Sequence, residues 1–93
     1  MKAERFNNVW DALAKSPEEA QNLTLRSDLM NSIEKAVAAW KLPQGEAAKR
    51  LGITRPRLND LLRGKLSKFS LDALAALAMR AGLKVKLSVK KAA

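Results

Sequence analysis

The side chains able to do chemistry crowd into one part of the chain. Arg55, Arg57, Asn59, Asp60 and Arg63 follow one another closely, with Lys49 and Arg50 just before them and Lys65 and Lys68 just after. Guanidinium, carboxamide and carboxylate groups of this kind recognise polar edges, and the cations among them neutralise phosphate. They do not make or break bonds unaided. Cysteine and histidine are absent altogether, which removes disulfides, thiol nucleophiles, the usual zinc ligands and the commonest general base near neutral pH. No nucleophile–base set, glycine-rich phosphate loop or metal-ligand cluster remains, so neither catalysis nor a cofactor is expected.

Charge points the same way. The net charge is +9 over 93 residues, but residues 1–40 hold five basic and six acidic side chains, whereas residues 41–93 hold thirteen basic and three acidic ones. The first half is thus at −1 and the second at +10. A polyanion is the natural partner of the second half, and the first half has another task. A basic surface that meets only solvent gives the same tally, so charge alone does not decide. Membranes are a weaker match, because the cations cluster on a turn motif that lipid does not require. No run of about 20 apolar residues is present to span a bilayer, and the charged start MKAERFNNVW does not read as a signal peptide. The expected location is cytoplasmic.

The elements that must position these groups can be read from spacing. Within residues 44–64, QGEAAKRLGITRPRLNDLLRG, two short helices are expected around a tight turn at Gly52, Ile53 and Thr54. Ala47, Ala48, Leu51, Ile53, Leu58, Leu61 and Leu62 are spaced to close one helix on the other. Gly52 permits a left-handed turn. Thr54 can cap the second helix by accepting from the Arg57 N–H, since Pro56 has none to donate. This is the pattern of a helix-turn-helix, whose second helix enters the DNA major groove.

Around it, residues 17–41 read as one long helix. Ser16 is its N-cap, followed by Pro17 and a capping-box Glu19, and Leu25, Leu29, Ile33, Val37 and Trp40 form its apolar stripe. Thr24, Ser27 and Asp28 weaken its middle enough to allow a kink or restart near Ser27. Residues 65–69 read as a basic loop. Ser70 caps a further helix to about residue 81, with Leu71, Leu74, Ala75, Ala78 and Ala81 inward, joined by Leu77 or Met79. Two ends want partners. Phe6, Val9, Trp10 and Leu13 make one face of a short amphipathic helix that cannot stand alone. Leu83, Val85, Leu87 and Val89 alternate with Lys84, Lys86, Ser88 and Lys90 as in a strand, and nothing else in the chain reads as a strand to pair with it.

With these residues in view, 44–64 resembles the helix-turn-helix of the Xre/Cro family. NNVWDALAKSPEEAQNLTLRSDLM, LPQGEAAKRLGITRPRLNDLLRGK and KFSLDALAALAMRAGLKV extend the likeness to a compact subfamily whose members are often antitoxins of HigBA-type toxin–antitoxin pairs or phage-related regulators. The resemblance implies a mainly α, lambda-repressor-like bundle of about five helices with a short C-terminal strand. That is a single domain over 1–93, with an N-terminal arm at 1–15 and the strand at 83–90. It implies a homodimer on a palindromic operator and, in the antitoxin reading, a cognate toxin held by Phe6, Val9, Trp10, Leu13, Val85, Leu87 and Val89. A phage-type or stand-alone repressor is the alternative.

It also implies roles in DNA contact. Arg55, Pro56 and Asp60 match the family's base-contacting positions, and Gln44 matches its phosphate-contacting glutamine. Chemistry favours Arg55 as a reader of guanine, Asn59 as a partner for adenine, and Asp60 either as an acceptor from cytosine or as a brace for Arg57 or Arg63. Pro56 offers only apolar contact, as to a thymine methyl. Lys49, Arg50, Thr54, Arg57, Arg63, Lys65 and Lys68 are expected on phosphates, where they set affinity and register rather than sequence choice.

Overall fold

The computed structural model describes residues 16–91. Helix α1 spans Pro17–Trp40, and Ser16 Oγ accepts from the Glu19 N–H at 3.1 Å, as a capping serine should. The helix does not break at Thr24 or Ser27. Thr24 turns its hydroxyl back onto the Ala20 carbonyl at 2.9 Å, which satisfies the side chain within the helix instead of interrupting it.

After a left-handed residue at Lys41 come α2 (Gln44–Leu51) and α3 (Arg55–Leu62). A 3₁₀ turn at Leu66–Lys68 follows, and α4 spans Leu71–Arg80. Ser70 caps α4 by accepting from the Ala73 N–H at 3.1 Å. α1 packs chiefly along α4 and also meets α3 and the 3₁₀ turn, while α2 rests on α3 and α4. The core holds Ile33, Leu51, Leu58, Leu61, Phe69 and Leu74 as its largest fully buried side chains.

The inward faces differ in part from the expected stripes. On α1, Met30, Ile33 and Val37 are buried, Leu29 and Trp40 are partly buried, and Leu25 is exposed. Two i+4 steps carry a side chain about 80° around a straight helix, so Leu25 has rotated off the face that Ile33 defines, and Met30 takes that place. On α4, Leu77 is buried and Met79 lies in solvent, with Leu71 and Ala75 only half-buried. The expected basic loop at 65–69 contains a 3₁₀ turn whose Leu66 and Phe69 point into the core.

Two expectations about the ends need correction or lie out of reach. The described residues form four α-helices and no strand, and residues 83–91 carry no regular structure. The alternation of Val85, Leu87 and Val89 is real, but a strand exists only in a ladder, and the described residues supply no second edge. The N-terminal helix that would make a fifth, with Phe6, Val9, Trp10 and Leu13, lies outside the described residues.

Candidate nucleic-acid interface

The turn between α2 and α3 is built from adjacent residues. Gly52 adopts φ 73° and its N–H reaches the Lys49 carbonyl at 3.0 Å, while the Ile53 N–H reaches Ala48 at 2.9 Å. Ala47, Ala48, Leu51, Leu58 and Leu61 are buried between the two helices, with Ile53 and Leu62 half-buried beside them. Thr54 Oγ1 accepts from the Arg57 N–H at 3.2 Å and starts α3 as expected.

Arg80 of α4 clamps the turn from outside. Its Nη1 donates to the Leu51 carbonyl at 3.1 Å, placing a cation where α2 ends in unpaired acceptors. A Cβ on Gly52 would stand 3.1 Å from that same Nη1. Glycine suits this position first for its left-handed backbone, and an added methyl would also press on the guanidinium that Arg80 places there.

On this frame the expected readers stand clear of the core. Arg55, Pro56 and Asn59 are exposed, and with Arg63 they fall on the side of α3 away from Leu58 and Leu61. The Arg55 stem runs beside Gly45, where an added Cβ would lie 3.6 Å from Cδ. The side chain therefore leans toward the start of α2, where Gln44 is exposed as well. The first residue of α3 thus comes close to the first turn of α2, two positions the sequence marked for DNA contact. Thr54, Lys49, Lys65 and Lys68 are exposed around them.

Three cations have other commitments. Arg57 lays its guanidinium 4.1 Å from the Phe69 ring centroid and donates from Nη1 to the Lys68 carbonyl at 2.7 Å. It therefore holds the segment after α3. Arg50 stacks on Trp40 at 4.2 Å, which ties α2 to the end of α1 and fixes where that charge sits. Lys65 pairs with Asp60 at 3.5 Å. Asp60 thus braces Lys65 across the end of α3, rather than Arg57 or Arg63.

Arg26, like Arg80, has a role that the sequence does not mark. Arg26, half-buried on α1, donates from Nη1 to the Leu66 and Phe69 carbonyls at 2.9 and 3.1 Å, and its Nε is buried without a partner among the described residues. The 3₁₀ turn that carries Lys68 is therefore held by Arg26 on one flank and Arg57 on the other. Nothing local to Arg26 announces this role. The pairing of Leu66 with Phe69, two large apolar residues inside a basic segment, is the signal that the segment docks on the core.

Among the described residues, no group of three or more acidic, histidine or cysteine side chains could hold a metal ion, and no helix is long and apolar enough to cross a membrane. The class that this geometry defines is a helix-turn-helix with an exposed, cation-bearing second helix. The chain belongs to the family described as helix-turn-helix domain, whose model matches residues 12–90. No curated protein matches the sequence. Family and geometry together support binding to DNA.

Proposed function

We propose that this protein is a sequence-specific transcriptional repressor that acts as a homodimer on a palindromic operator. The observation that carries the reading is the exposed face of Arg55, Pro56 and Asn59 at the free end of α3, between the α2–α3 turn that Arg80 clamps and the 3₁₀ turn that Arg26 and Arg57 hold. A recognition helix works by presenting its first turns to base edges from a rigid frame. Here the frame is rigid and the first turn is open. Arg63, Lys68 and Lys49 supply the phosphate contacts, and binding weakens steeply with salt as counterions are released. On this reading the protein is no enzyme and works in the cytoplasm without a cofactor.

The test is selection from random duplex DNA with the purified full chain. The expected product is a palindrome with half-sites about 34 Å apart, one helical turn, on the same face of the duplex. Failure to enrich any sequence would overturn the repressor reading.

The resemblance to HigBA-type antitoxins supports a narrower proposal, in which the near-neutral N-terminal half holds a toxin and DNA binding autoregulates the operon. Deleting residues 1–14 is then expected to abolish capture of the protein encoded by the adjacent gene while operator affinity persists, as measured by co-purification and gel shift. Intact capture by the deletion variant would assign the toxin contact elsewhere.

A further inference from the structure

Between α1 and α4, with residues 83–87 along one side, lies an open groove of about 610 Å³. Leu25 and Leu29 of α1, Leu71 and Ala75 of α4, and Val85 and Leu87 of the tail make most of its wall, with the carboxylates of Asp28 and Asp72 among them. The tail itself is unfinished. Leu87 and Val89 are 84% and 83% exposed, and the backbone of residues 84–91 has no hydrogen-bond partner among the described residues. Exposed apolar side chains beside an open apolar groove mark a protein-binding surface rather than a solvated tail.

We infer that this groove is a two-fold interface, filled by residues 85–89 of a second copy of the chain, whose tail pairs antiparallel with this one. The inference rests on the homodimer reading above and names its surface. Self-complementarity selects the occupant. Each chain offers both a groove and the apolar side chains that its own groove leaves uncovered, so a two-fold axis satisfies both at once. Charge agrees. The incoming tail carries Lys84, Lys86 and Lys90, and the helical wall of the groove presents Asp28 and Asp72 opposite the groove's own Lys84 and Lys86. On the helical side these carboxylates give the incoming lysines opposite charges to meet.

Pairing also explains the alternation. Opposed residues in an antiparallel ribbon share a face, so Val85, Leu87 and Val89 of both copies fall on one side only when the numbers of each opposed pair sum to an even value. A slip of one residue would turn the apolar set outward. No residue of α2 or α3 lines the groove, so filling it leaves Arg55 and Asn59 open to DNA.

The experiment is sedimentation of the full chain without DNA, for the parent and for Leu87→Asp, Val89→Asp and Met79→Asp. Met79 is 61% exposed but does not line the groove. The parent is expected to be a dimer. Leu87→Asp is expected to weaken it by about 100-fold or more, because symmetry puts the buried carboxylate in the interface twice, and Val89→Asp should act in the same direction. Met79→Asp should leave the dimer unchanged. All three positions are exposed, so circular dichroism should show an intact fold. A monomeric parent would overturn the inference and give the groove to another occupant, such as residues 1–15 or an unrelated protein. So would a dimer that both tail variants leave unaltered. A dimer that dissociates with Leu87→Asp, in a chain that selects no DNA, would uphold the interface while removing the operator reading.

Discussion

Arg55→Ala is expected to lower affinity for the cognate operator by about 5- to 150-fold, the equivalent of ~1–3 kcal/mol for one bidentate arginine–guanine contact. Affinity for unrelated duplex should change far less. The reasoning is geometric. Arg55 opens α3, is exposed, and lies with its stem against Gly45, so its guanidinium is carried forward of the core without a competing partner among the described residues. Fluorescence anisotropy with cognate and scrambled duplexes, repeated at several salt concentrations, measures the difference. Lys68→Ala is the contrast, since a phosphate contact should be lost equally on both duplexes and lower the salt slope by about one. Equal losses for Arg55→Ala on both duplexes would make Arg55 a phosphate contact and move base reading to Asn59 or Asp60.

The largest effect on stability is expected at Phe69. Phe69→Ala should cost about 3–5 kcal/mol, the usual range for removing a fully buried aromatic ring, and Phe69 is 1% exposed. For a domain of this size each kcal/mol lowers the melting temperature by roughly 4–8 °C, so the variant should melt about 12–40 °C below the parent. Thermal melting followed by far-ultraviolet circular dichroism checks this. A fall of only a few degrees would show that the ring is not part of the core.

Phe69→Leu separates the two roles of the ring. Most of the apolar volume remains, so the chain should fold, but the flat surface under Arg57 is gone. Arg57 then loses its stacking partner while keeping the Lys68 carbonyl, and the segment bearing Lys65 and Lys68 loosens. The expected result is a folded protein with weaker binding to every duplex and little change in sequence preference. Arg57→Ala should resemble it, and the two changes together should cost less than their sum, because they remove one shared contact.

What could be read from the sequence is what neighbouring residues settle between themselves. Ser16, Thr54 and Ser70 each accept from an N–H three residues ahead. Gly52 bends the chain with its own φ, and the period of Leu58 and Leu61 assigns the buried side of α3. Each is a contact inside a turn or two, present in the order of the letters. The recognition motif is therefore legible almost in full.

The fates of the arginines are not. Arg26 is committed to a carbonyl 40 positions away and Arg80 to one 29 positions away, and composition counts them with Arg55 as equal positive charges. Only the packing of α1 on the 3₁₀ turn and of α4 on α2 brings those carbonyls within reach. Once there, an unpaired acceptor at a helix end or in a buried turn is costly enough to claim the guanidinium. Local sequence thus determined that this protein would have a recognition helix. The tertiary structure decided which of its cations are left free to use it.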